Sequence, residues 1–116
     1  MRVYLLESDG FYKIGVANNV CNRVSQLQIG NPYKINTVIC SSELSKEMAF
    51  SVERTLHRIL SSSNVSGEWF SLGDTEYSLV INFFTAESRG DAKALRINLK
   101  EFKEYMSSGV MPESEK

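Results

Sequence analysis

The chain has 116 residues, enough for one compact domain. Hydrophobic residues make up 42% and charged residues 23%, an ordinary globular composition that excludes disorder over most of the length. The formal net charge is −1, so bulk positive charge is not what would hold this chain on a nucleic acid. The charge is uneven: residues 1–60 carry seven Lys and Arg against five Asp and Glu, and residues 61–116 carry six against nine. Any nucleic-acid contact is therefore expected to be local and in the first half.

The apolar runs, such as Leu79-Val80-Ile81, are far too short for a transmembrane helix. In the opening stretch MRVYLLESDG a charge and a glycine follow the apolar run at once, unlike a signal peptide. Cys21 and Cys40 have no metal-ligand spacing and read as free thiols of a reducing cytoplasm. That argues against a zinc finger or a disulfide scaffold.

Residues 1–6 (MRVYLL) and 11–16 (FYKIGV) are β-rich and flank the turn signal Ser8-Asp9-Gly10, which predicts an antiparallel hairpin. Asn18 is the expected N-cap of a first helix with Val20, Val24 and Leu27 inward; Gly30 stands at its C-terminal cap and Asn31-Pro32 ends it. Residues 35–41 (INTVICS) predict a third strand. Ser45 opens a long helix to about Ser61, with Ala49, Val52, Leu56, Ile59 and Leu60 as its buried stripe. The Ser-rich segment 61–67 reads as a loop, followed by Glu68-Trp69-Phe70 as a short extended piece. Residues 75–86 predict a helix with Leu79, Val80, Phe83 and Phe84 apolar. Residues 87–94 read as a polar loop, 98–107 as a last amphipathic helix and the end as a frayed tail. The expected fold is α/β (α+β) in ββαβα order, a small three-stranded antiparallel sheet flanked by helices. Residues 1–86 would form the main domain and 87–116 a C-terminal helical extension.

Four features carry potential chemistry. Tyr4 and the Tyr12-Lys13-Ile14-Gly15 segment fall on neighbouring strands, where tyrosines are usually packing pairs. Arg23 sits on the outer side of the first helix. Glu53 and His57, spaced i, i+4, share one strip of the long helix at the edge of its apolar stripe. A carboxylate there can hold a hard cation, and an imidazole one turn away can move a proton near neutral pH. The bland alternative pairs Glu53 with Arg54 or Arg58 and leaves His57 at the core boundary. In Gly67-Glu68-Trp69-Phe70 the aromatics staple the C-terminal part to the sheet, and Glu68 either caps a backbone amide or pairs with a base.

The ordered set is more specific than its parts. Tyr4, then Tyr12-Lys13-Ile14-Gly15, then Arg23 eight residues beyond Gly15, then Glu53 on the following helix resembles the GIY-YIG nuclease family. The KIG second motif, the Glu53-x-x-x-His57 helix and the Gly67-Glu68-Trp69-Phe70 close resemble a compact branch of it, common in phage-encoded proteins. The resemblance covers roughly residues 2–72. It implies metal-dependent cleavage of DNA with Mg²⁺ or Mn²⁺ held by Glu53. Tyr4, Lys13, Arg23, Glu53 and His57 are the implied catalytic residues, and Tyr12, Lys13, Asn18 and Arg23 the implied DNA contacts. It also implies that a homodimer or a protein partner supplies specificity.

The chain departs from the family pattern in three places. Its first motif reads Arg2-Val3-Tyr4, without the family's glycine or isoleucine. Lys13 stands where the family has its second tyrosine, and Leu27 where a histidine or tyrosine often follows the arginine. These departures keep a second reading open, a catalytically impaired nucleic-acid-binding or protein-interaction module on the same fold.

Overall fold

The computed structural model describes residues 1–88, and the predicted 98–107 helix and the tail lie outside them. Strands β1 (Arg2–Ser8) and β2 (Phe11–Ala17) pair antiparallel in the register Ser8↔Phe11, Leu6↔Lys13, Tyr4↔Gly15. Their two-residue connection, Asp9 and Gly10, takes positive φ at both positions (53° and 84°). That is the mirror-image turn whose twist matches a right-twisted hairpin, and Asp-Gly is among its favoured sequences. Gly10 N–H also donates to Glu7 Oε2 at 2.8 Å, which fixes the turn and lowers the Glu7 carboxyl below its ordinary value.

Helix α1 (Val20–Gln28) follows, capped by Asn19 rather than by the expected Asn18. Asn19 Oδ1 accepts from Asn22 N–H at 3.0 Å. β2 runs on to Ala17, one residue further than expected, which moves the cap by one position. Gly30, just past the helix, has φ of 77°, as a C-terminal glycine should. The α1–β3 loop is pinned by one side chain. The Gln28 amide donates to the carbonyls of Asn31 (3.3 Å) and Tyr33 (2.9 Å) and accepts from Ile35 N–H (2.8 Å).

Strand β3 (Asn36–Cys40) pairs with β1 on its other side. Helix α2 (Lys46–Ile59) is capped by Ser45, whose hydroxyl accepts from Met48 N–H. The segment expected to be a loop is ordered: one 3₁₀ turn (Ser61–Ser63), then β4 (Asn64–Ser66) hairpinned onto β5 (Trp69–Phe70) through Gly67. The sheet therefore has five strands in the order β3-β1-β2-β5-β4, not three; the predicted three form its centre and one side. Helix α3 (Asp74–Ser88) extends two residues into the stretch read as a polar loop.

Residues facing each other across an antiparallel pair point to the same face. On one face Tyr4 and Leu6 pack with Ile35 against Val20, Val24 and Leu27 of α1. On the other Val3, Leu5, Ile14 and Phe70 pack against Ala49, Val52 and Leu56 of α2 and Leu79, Val80, Phe83 and Phe84 of α3. The predicted inward residues of α2 are buried, with Ile59 only half so. Each fully buried large apolar side chain contributes about 1.5–3 kcal/mol, so α3 is held mainly by its four buried residues. Among the described residues no helix is long and apolar enough to cross a membrane.

Gly15 admits the closest approach in the hairpin. A Cβ there would fall 2.6 Å from Tyr4 Cζ and nearer still to the hydroxyl, because the Tyr4 ring lies across it. Gly15→Ala is expected to destabilise the protein by about 1–3 kcal/mol, as overpacking does. Urea denaturation checks this, and most of the loss should disappear in a Tyr4→Ala background.

Candidate active site at the open edge of β2

β5 is short and pairs only with Tyr12 and Lys13, so beyond Ile14 the outer edge of β2 has no strand beside it. At that boundary the Ile14 N–H reaches the Glu68 carbonyl at 3.4 Å, and the Ile14 carbonyl takes a 2.7 Å hydrogen bond from His57 Nε2. A carbonyl can only accept, so Nε2 carries the proton and a neutral His57 has Nδ1 as its lone acceptor. Its ring also stands edge-on to Phe70, centroids 5.0 Å apart. His57 is thus a boundary residue, as the bland alternative held, yet one ring nitrogen is not used by that role.

Lys13 lies on the α1 face of the sheet and is only 7% exposed. Its Nζ donates to Glu68 Oε1 at 3.2 Å and sits 5.7 Å from the centre of the Trp69 ring. A buried ammonium is tolerated when it is paired, and the aromatic face adds to that. Glu68 therefore pairs with a base, one of the two roles open to it from the sequence. Sequence reasoning gave it no place in the site itself.

Glu53, one turn before His57, is half-buried. It has no hydrogen-bond or ion-pair partner among the described residues, so the alternative pairing with Arg54 or Arg58 is not formed. Its carboxyl is pushed above the ordinary carboxylate range, first by burial and then by the Glu68 charge; His57, Lys13 and Arg54 pull the other way and do not offset this. An unpartnered half-buried carboxylate facing a second one is a place where a cation would be welcome.

Tyr4 feels the same groups. The nearby Arg23 favours the phenolate, but burial outweighs it, and Glu68 and Glu53 add repulsion. The phenol is held above its ordinary value of 10.0 and is protonated at neutral pH. It can donate a hydrogen bond; it is not a ready base. Strand, loop and two helices thus bring Arg23, Glu53 and Glu68 into electrostatic reach of Tyr4, and Glu68, His57 and Lys13 into reach of Glu53.

Two expected contacts stand apart. Tyr12 has the opposite parity from Lys13 and packs at a tilt against Tyr77 of α3, ring centroids 5.3 Å apart, beside the larger core. Asn18 is exposed in the link between β2 and α1, at the same end of β2 as Gly15. Among the described residues no three His, Cys, Asp or Glu side chains form a metal-binding group. The donor set suits instead a hard cation that keeps waters and takes one or two protein carboxylates together with substrate phosphate oxygens. Cys21 and Cys40 are free thiols.

Residues 1–85 match the T5orf172 domain. The chain belongs to the T5orf172 domain family. The match runs from β1 into α3 and so takes in every residue of this cluster. No curated protein and no solved structure matches the chain.

Two outcomes follow from this geometry. Because the folded-state value of Glu53 is raised, its charge opposes folding: the penalty is absent below the unfolded value and grows as the pH rises through the folded one. Glu53→Gln should therefore melt higher than the natural protein at pH 7, with the difference fading by about pH 4, near the ordinary carboxylate value. His57→Phe should cost about 1–3 kcal/mol by leaving the Ile14 carbonyl unpaired, read by urea denaturation.

Proposed function

We propose that this T5orf172-family chain is a metal-dependent DNA endonuclease of the GIY-YIG type. T5orf172 domains are phage-associated and often linked to nucleases, and nucleic acid is their general theme. The observation that carries the reading is that Arg23 of α1 and Glu53 of α2 both act on Tyr4 of β1, whose ring lies against Gly15 of β2. These are the three positions the motif order singles out, and the fold makes them neighbours although they span 50 residues of sequence.

Each residue has a role its environment suits. Glu53, with Glu68 behind it, would hold Mg²⁺ or Mn²⁺. When bound, that ion supplies Lewis-acid stabilisation of phosphate oxygens and the departing alkoxide. Arg23 neutralises charge on the scissile phosphate through two parallel N–H donors. The protonated Tyr4 phenol is buried beneath the site beside Arg23 and would position that guanidinium rather than touch the phosphate. His57 Nδ1 accepts the proton of the attacking water, while its Nε2–H bond to Ile14 fixes the ring and the tautomer. Lys13, paired with Glu68 and seated over Trp69, would hold the Glu68 carboxylate in place beside the site.

One observation favours a second reading. Lys13 occupies the motif tyrosine position but is buried and neutralised by Glu68, so it brings no hydroxyl to the phosphate. An impaired module that binds DNA without cutting it fits that fact.

A single assay separates the two. Supercoiled plasmid, linear duplex, single-stranded and branched DNA are incubated with the protein in Mg²⁺, Mn²⁺ or EDTA. The nuclease reading expects metal-dependent cleavage that falls by at least about 100-fold in Glu53→Ala, the scale of losing a principal charge-stabilising group. Cleavage unaffected by that substitution would overturn the assignment. Salt-sensitive binding with no cleavage of any substrate would favour the impaired module.

A further inference from the structure

Ser8↔Phe11, Leu6↔Lys13 and Tyr4↔Gly15 are facing pairs, so Phe11, Lys13 and Gly15 form one row along the α1 face of β2. The Tyr4–Arg23 cluster is at the Gly15 end. At the Phe11 end, about 14 Å away at about 3.4 Å per residue, lies an open cavity of about 280 Å³. Ser8, Asp9, Phe11, Asn31, Tyr33 and Trp69 line it. We propose that this cavity is a stacking site for one unpaired nucleobase of the nucleic acid whose phosphate backbone reaches the Glu53 site. The proposal rests on the nuclease reading and extends it to a substrate class, DNA with a single-stranded or extruded nucleotide.

Three observations select this occupant. First, the lining is aromatic and unusually open. Phe11 is 40% exposed and Tyr33 54% exposed, though both are large side chains that would ordinarily be covered. Second, the platform is preorganised. Tyr33 sits in the α1–β3 loop that the Gln28 amide clamps at both ends, and its N–H is bonded to Asn31 Oδ1 at 2.9 Å. A rigid ring loses little entropy on stacking. Third, the polar groups suit a base edge rather than a phosphate. No Lys or Arg lines the cavity; Asp9 brings an acceptor, Ser8 a hydroxyl, and Asn31 keeps its Nδ2 donor because its Oδ1 is taken. The volume is just under the range for drug-sized ligands, about 300–1,000 Å³, enough for a single planar ring system. Trp69 joins the two regions: it lines the cavity and lies under the Lys13 ammonium.

Trp69 is the chain's only tryptophan, so intrinsic tryptophan fluorescence reads the cavity directly. The protein is titrated in EDTA with a single-stranded ten-nucleotide DNA, the same strand made abasic, a blunt duplex and a free nucleoside monophosphate. Saturable quenching is expected with the single strand, and with the mononucleotide at much higher concentration. Little is expected from the abasic strand or the blunt duplex. Tyr33→Ala, an exposed position that should leave the circular dichroism unchanged, should weaken single-strand binding by about 10-fold, the scale of one base–aromatic stack. Equal quenching by the abasic strand or the duplex overturns the proposal, as does an unchanged affinity in Tyr33→Ala. The two readings fail separately. Glu53-dependent cleavage without base-dependent quenching removes the stacking site and keeps the nuclease. Quenching in a protein that cuts no DNA removes the nuclease and keeps the stacking site.

Discussion

The contact of the Tyr4 ring with the backbone of Gly15 governs how the rest of the site is arranged. The missing side chain at Gly15 lets a large ring lie flat across β2. The buried hydroxyl is thereby held over β2, where Arg23 acts on it from α1 and Glu53 from α2. Any side chain at Gly15 would displace the ring and with it the hydroxyl that Arg23 and Glu53 act on. The Asp9-Gly10 turn enforces this contact at a distance, because a slip of one residue in the hairpin would turn Tyr4 to the opposite face.

The cluster is assembled against its own electrostatics. Glu53 and Glu68 repel, both add repulsion at buried Tyr4, and the ammonium of Lys13 forms an ion pair with Glu68 alone. Charges left in such tension are stabilised by what binds there rather than by folding. The compensating stability comes from the two apolar layers, above all from Phe70, Phe83, Phe84 and the α2 stripe, which hold the sheet independently of the site. Tyr4 is the residue that belongs to both scaffold and site, buried in the α1-face core and acted on by the site's charges.

The central architecture could be read from the sequence because its signals are local. Asp-Gly between two β-rich runs, Ser45 before an apolar stripe of helical period, and Gly30 before Asn-Pro each dictate backbone geometry within a few residues. Missed features depend on tertiary partners. The segment 61–67 looks like a polar loop because β4 is fully exposed and owes its strand character to pairing with β5. Asn19 displaces Asn18 as the cap because β2 continues one residue further, which no local signal records. Tyr4, Arg23, Glu53 and His57 were legible as a set only through their ordered spacing. The place of Glu68 among them depends on Lys13, 55 positions earlier, and a buried lysine is not visible in sequence. The one available clue was a carboxylate wedged between Gly67 and two aromatics.

The short β5 has a consequence beyond exposing the site. A strand edge with free carbonyls and amides is a template for another chain, and β2 is otherwise long, regular and apolar. His57 occupies the first outward carbonyl past β5, and its ring, braced on Phe70, stands where an incoming strand would begin to pair. The imidazole thereby blocks the first pairing position on that edge, so the hairpin leaves it without a neighbouring strand yet not freely open to one.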